Sequence, residues 1–484
     1  MSTDTRSVQE RGLPLAALTA LVVGSMIGGG IFGLPSQMAL SAAPGPLLIG
    51  WTITGVGMLT LALVFQRLSV ARPGIEGGVY GYARAGFGDY VGFTSAWGYW
   101  ISAWIGNVGY FVLLFATLGH FFPVFGKGNT AAAIIAASIV LWLVHALVLR
   151  GVHSASLLNA VVTAAKIIPI VAFVIMAAVA FKAGIFTADF WGRVTEVPAS
   201  DGGTAALGTT MDQIKNMMLV TVWVFIGVEG ASIYSQRAAK RSDVGKATVM
   251  GFALVLALLL LVNLLAYGAM PQAEIAALAD PSMGGVLAHI VGPWGASFVG
   301  IGLIISVLGA LLAWVLLCAE ILRVPAGDGN LPAVFGKVNK AGSPTAALWL
   351  TNLCVQAMLI WTYFNSSTYT GLILLASSLI LLPYLWSALY ALVLAVTGRG
   401  EFTIRDLVVG AVATAYALWL VYAGGLSYVL VAAIAYLVGT VLYVIARKSA
   451  GRQVFTTRDL IFVALVTLAA IYGVIELIRG NISV

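Results

Sequence analysis

Long apolar runs separated by short polar segments fill the chain from residue 14 to residue 478. They fall at about 14–40, 46–68, 89–121, 130–149, 156–181, 214–236, 245–268, 292–322, 345–363, 368–397, 405–423, 426–446 and 459–478. Each is near the ~20 residues a helix needs to cross a bilayer. The pattern predicts an all-α polytopic membrane protein of about twelve or thirteen spans. The last span is the weakest, because Glu476 and Arg479 crowd its end. Residues 1–12 are polar and predict a cytoplasmic tail; 13–484 predict a single transmembrane domain.

Two runs are interrupted. Gly24–Pro35 reads GSMIGGGIFGLP, with three consecutive glycines where a membrane helix should be most regular. Glycine disfavours a helix interior by about 1 kcal/mol relative to alanine. Non-helical backbone at membrane depth survives only inside protein or along a cavity. The stretch therefore predicts a half-helix, an unwound strip and a second half-helix. Five spans later, Thr221–Tyr234 reads TVWVFIGVEGASIY, with Gly227 and Gly230 flanking Glu229. Paired interruptions at corresponding places in two halves point to a transporter site on an inverted repeat. Spans 1–5 (about 14–181) and 6–10 (about 214–397) would be the repeats, with peripheral helices at about 405–478. No clear residue identity links the halves, so this division rests on architecture.

Composition agrees with the pattern: of 484 residues, 61% are hydrophobic and 9% charged, which excludes an ordinary soluble domain. The net charge of +7 does not indicate nucleic acid, because the basic residues lie between apolar runs. With the N-terminus inside, most of the basic residues from Arg67 to Arg458 fall inside, while Lys127, Lys182, Arg193, Lys215 and Arg479 fall outside. Cys318 and Cys354 sit within apolar runs and predict free thiols. The first run lacks a small-residue cleavage site and should stay as the first helix. The outer loop at about 183–213 reads as a connector rather than a lid.

The candidate chemistry is sparse. Bare backbone at Gly28, Gly29 and Gly30 lets a ligand touch N–H groups at the start of the second half-helix, where the dipole favours a carboxylate. Carbonyls near Ile226 can accept from an ammonium, so the two breaks together fit the zwitterionic head of an amino acid. The plainer reading is close packing of small residues between helices. Glu229, a mid-membrane carboxylate, suits a countercharge, a proton acceptor or a gate, against a structural hydrogen bond. Lys166, in NAVVTAAKIIPIV, needs carbonyl or carboxylate partners, since snorkelling is poor from mid-span. Tyr99, Trp104, Trp223 and Trp314 are aromatics within spans that can stack on a cation or simply fill the core. Glu320 and Arg323 read as interface residues. His120, His145, His153 and His289 show no metal spacing, and no nucleotide loop, triad or metal cluster stands out. We expect no cofactor and no enzymatic activity.

The two broken-span motifs, GSMIGGGIFGLP and WVFIGVEGAS, resemble the first- and sixth-helix signatures of the amino acid–polyamine–organocation superfamily, specifically its basic amino acid/polyamine antiporters. WIGN at Trp104–Asn107 is similar to a third-helix segment that lines the site there, and RAAKRSDVGKAT at Arg237–Thr248 is closest to the arginine/ornithine antiporter subgroup. The resemblance covers essentially the whole chain. It implies that Met26, Ile27, Gly28, Gly29 and Gly30 hold the carboxylate, and Trp223 and Ile226 the ammonium side. It implies that Trp223 and Trp314 stack near the substrate and Asn107 touches its tail. Tyr99 and Glu229 would serve gates, Glu229 with a proton link, and Lys166 would replace a sodium site. Two departures stand out: Gly29 occupies a position where the arginine/agmatine antiporter has serine, and a thirteenth span exceeds the usual twelve.

The implied function is exchange of a basic amino acid, arginine first, for ornithine across the cell membrane. The alternatives are proton-coupled amino acid uptake, arginine/agmatine, lysine/cadaverine or histidine/histamine exchange, and an amino acid sensor. Expected partners are amino acid substrates and membrane lipids, without nucleic acid; a homodimer is compatible with the sequence but not specified by it.

Overall fold

A computed structural model describes residues 14–151, 156–200, 202–229, 241–365, 368–398 and 402–482. The tail at 1–12, His153, Gly230 and loop residues 237–240 lie outside the described residues. The first span is α1 (Leu15–Met26) and α2 (Gly30–Ala39), bent by 49° at the glycines. Then follow α3 (Pro44–Ala71), α4 (Val79–Phe87), α5 (Asp89–Phe121), α6 (Ala131–Leu149), α7 (Ser156–Ala180) and α8 (Ala183–Thr187). A two-stranded antiparallel hairpin, β1 (Glu196–Pro198) and β2 (Thr204–Ala206), precedes α9 (Thr210–Phe225). The rest is α10 (Arg241–Ala269), α11 (Gln272–Ala276), α12 (Ser282–Val291), α13 (Trp294–Gly327), α14 (Thr345–Asn365), α15 (Tyr369–Val396), α16 (Ile404–Gly424), α17 (Leu426–Ser449) and α18 (Thr457–Ile478).

Among the described residues, eleven helices are long and apolar enough to cross a membrane, twelve with the bent first pair. The sixth expected span is represented by α9, which starts at Thr210 rather than 214 and stops at Phe225. Its early start has a local cause: Thr209 and Asp212 form a reciprocal capping box. The same device opens α16 through Thr403 and Asp406, and α18 through Thr456 and Asp459. In the 183–213 connector, Gly45 donates its N–H to Phe190 O at 2.7 Å.

The helices form layers around α5. Its central window is 83% buried, against 17% for α18. That places α5 at the axis and α18 at the rim. α5 packs on α13, α14, α15 and α17. At its start, Asp89 accepts from Arg84 Nε at 2.7 Å and Arg447 Nη1 at 2.9 Å, while Arg84 Nη1 also meets Asp328 at 2.6 Å. This cluster ties the ends of α4, α13 and α17 to α5. Both cysteines are free.

Candidate functional site

α1 cannot continue through three glycines, so its last carbonyls lack helical partners. Lys166, in the middle of α7, supplies them: Nζ donates to Gly24 O at 2.9 Å and Ile27 O at 3.0 Å. A cation at a helix C-terminus also opposes the negative end of the dipole. Replacing Lys166 with methionine keeps the stem but strips both bonds. It should cost about 1–3 kcal/mol per orphaned carbonyl, read as a lower thermal midpoint of the purified protein. An unchanged midpoint would deny Lys166 this pinning role.

The two interruptions touch. Ser25 Oγ donates to Val22 O at 2.8 Å and to Gly227 O at 3.2 Å. Gly227 adopts φ +106°, and a Cβ there would lie 2.3 Å from Ser25 O. Only glycine meets both conditions, a left-handed backbone and a close approach. α9 thus ends where α2 begins, bringing a positive helix N-terminus and a negative C-terminus to one place.

A cavity of about 30 Å³ lies at that junction. Ser25, Met26, Ile27, Gly28, Gly30 and Ile31 line it from the first span, and Trp223, Val224 and Ile226 from the sixth. Ser102, Ala103, Gly106 and Tyr110 of α5 and Trp314 of α13 complete much of the wall. Among the described residues, no charged side chain lines it. Its size suits about two waters, far less than an amino acid, so a substrate enters only if the walls move.

Two hydrogen-bonded clusters lie near the cavity. Trp223 Nε1 donates to Tyr369 Oη at 3.0 Å. Glu229 accepts from Tyr99 Oη at 2.6 Å, Tyr384 Oη at 2.8 Å and Gly227 N at 3.1 Å. Their placement follows from α5. The cavity residues of α5 run from Ser102 to Tyr110. Tyr99 lies just before them and Gly109, the neighbour of Tyr369, at their far end, so ten residues of helix, about 15 Å, separate the two clusters.

Seven of the expected site residues therefore meet at the cavity: Met26, Ile27, Gly28, Gly30, Trp223, Ile226 and Trp314. Gly29 turns away from it; a Cβ there would press on Tyr110 and Leu113 at 3.1 Å. Asn107 stands behind the wall, where Nδ2 donates to Cys318 Sγ at 3.5 Å. Sequence reasoning missed Tyr110, Tyr369 and Tyr384, which sit in helices with nothing to distinguish them from core aromatics. Glu320 and Arg323 pair with each other at 2.5 Å, half-exposed. His145 Nδ1 lies 2.8 Å from Asn352 Nδ2. Among the described residues, no group of three or more His, Cys, Asp or Glu could hold a metal ion.

Comparison with known proteins agrees with this architecture. The sequence profile of the amino acid permease family matches residues 13–471. An arginine/ornithine antiporter of Pseudomonas aeruginosa is 55% identical over 96% of this chain and 97% of that protein. An L-lysine transport protein of Corynebacterium glutamicum is 43% identical, covering 98% and 96%. An arginine/agmatine antiporter of Chlamydia caviae is 38% identical, covering 96% and 97%. A broken first helix, an α5-centred bundle of membrane-spanning helices and these relatives lead to one assignment: the chain belongs to the amino acid permease family, within the amino acid–polyamine–organocation superfamily.

Proposed function

We propose that this protein is a secondary active transporter that exchanges arginine, or another basic amino acid, for ornithine or a related amine across the cytoplasmic membrane. The observation that carries the reading is the cavity between the start of α2 and the end of α9, near which lie two separate clusters of hydrogen-bonded aromatics that we read as its closures. The relatives named for arginine and ornithine exchange support the choice of substrates.

The geometry performs alternating access as follows. Free N–H groups at the start of α2 take the substrate carboxylate, and the C-terminal end of α9 takes its ammonium. Trp223 and Trp314 supply aromatic faces for the side chain. Opening of Trp223–Tyr369 exposes the cavity to one side; opening of Tyr99–Glu229–Tyr384 exposes it to the other. The distribution of basic residues supports a cytoplasmic N-terminus, and with it a cytoplasmic Glu229 side. Residues 14–181 and 214–397 act as two repeats rocking against each other, with 405–478 peripheral. Arginine and ornithine carry the same charge at neutral pH, so one-for-one exchange is electroneutral.

The test is labelled arginine uptake into proteoliposomes. Vesicles preloaded with ornithine should take up arginine at least about tenfold faster than empty ones. Equal rates would overturn exchange.

A further inference from the structure

In the proposed cycle the central cavity takes the amino acid head, but among the described residues no acidic side chain lines it to read a cationic tail. A carboxylate does lie close by, past Trp223 and Tyr369. Gly30, Gly33 and Gln37 share one face of α2 and run along about 10 Å of its axis. Gly30 borders the cavity, where a Cβ would lie 2.8 Å from Trp223 Nε1. At Gly33 a Cβ would lie 2.6 Å from Asp280 Oδ1, 2.7 Å from Gln37 Nε2 and 3.2 Å from Tyr369 Cε1. A carboxylate, an amide and an aromatic edge thus converge on one bare glycine. The ring involved is the one that accepts the Trp223 bond.

These polar groups have no partners. Gln37 is 1% exposed, and neither its Nε2 nor its Oε1 makes a hydrogen bond. Asp280 stands in the connector between α11 and α12; the residue is partly accessible, but its Oδ1 is enclosed and unbonded. Burial pushes its carboxyl up to about 7. An enclosed acceptor without a donor is costly, so a site that retains two such acceptors, Gln37 Oε1 and Asp280 Oδ1, suits a ligand that brings donors. The arrangement is held in place. Ser282 Oγ accepts from Ser36 N at 3.0 Å and donates to Gly33 O at 3.0 Å, and Gln272 Nε2 donates to Ala39 O at 2.9 Å.

We propose that Asp280 and Gln37, over the bare Gly33, form an outer binding station for the cationic side-chain group of the substrate, a guanidinium or alkylammonium, engaged while the Trp223–Tyr369 closure is open. Guanidinium N–H groups donate to Asp280 Oδ1 and Gln37 Oε1; the space over Gly33 is filled while Tyr369 is in place, so the planar head finds room only once that ring has moved away. The station selects cationic substrates at entry, after which the shared zwitterion site takes the head. This inference rests on the proposed exchange of basic amino acids.

The test uses purified full-length protein and Asp280→Asn, which keeps the shape and removes the charge. Equilibrium binding of labelled arginine is measured beside citrulline, its neutral analogue, and exchange is measured from each face. Loss of a charge-assisted bond should weaken arginine binding about 10- to 100-fold and raise the outer KM, leaving citrulline binding and the inner KM for ornithine unchanged. Gln37→Met should weaken arginine in the same direction by less, and it serves in place of Asp280→Asn should that variant fail to give a monodisperse protein. Unchanged arginine binding, or an equal loss for arginine and citrulline, overturns the station. A wild-type protein that binds arginine yet fails to exchange it refutes the exchange reading instead, and the binding comparison still decides the station.

Discussion

Replacing Glu229 with alanine is expected to slow arginine–ornithine exchange about 100-fold while leaving a folded, monodisperse protein. Among the described residues, the carboxylate accepts from Tyr99, Tyr384 and Gly227. Its removal leaves three enclosed donors, each costing about 1–3 kcal/mol unless it finds another partner. That penalty falls on the arrangement in which both closures are shut, through which every half-cycle passes. A loss of about 3 kcal/mol there is about two decades in rate. Glu229→Gln should be intermediate: its carbonyl still accepts from one tyrosine, but its NH₂ cannot accept from Gly227 N–H. Initial exchange rates in proteoliposomes read both variants. A wild-type rate in Glu229→Ala would sink the gate role.

The second large effect is at Gly30. By helix propensity alone, Gly30→Ala should stabilise α2 by about 1 kcal/mol. The added Cβ, however, would lie 2.8 Å from Trp223 Nε1, 2.9 Å from its Cδ1 and 3.1 Å from Val224 Cγ1. Overpacking of this kind costs about 1–3 kcal/mol, and the methyl occupies the place where a carboxylate would meet the helix start. Arginine affinity should fall about 10- to 100-fold, measured by equilibrium binding, with helical content unchanged by circular dichroism. Retained affinity would mean that the head group binds elsewhere.

What could be read from the chain, and what could not, follows from the bilayer as solvent. Span positions were legible because apolar length is the signal itself. The break at Met26–Gly30 was legible because three consecutive glycines disfavour a continuous helix and a second interruption follows five spans later. Lys166 and Glu229 announced themselves as charges in apolar runs, and the structure gives each buried hydrogen-bond partners. The helix faces were hidden. Lipid and protein core are both apolar, so α5 and α15 carry no polar stripe to show which way Tyr110, Tyr369 or Tyr384 points. Asn107 illustrates the same limit: a polar residue beside the site in sequence, it stands one layer behind the cavity. Asp280 was missed because a lone acid in a connector looks like solvated surface. Only the fold brings it over Gly33.

Coupled counterflow tests the central claim most directly. Proteoliposomes loaded with ¹⁴C-ornithine are given ³H-arginine outside, and both labels are followed in the same vesicles. One ornithine should leave for each arginine gained, at a rate insensitive to membrane potential. Arginine gained without matching ornithine loss would mean uptake rather than exchange.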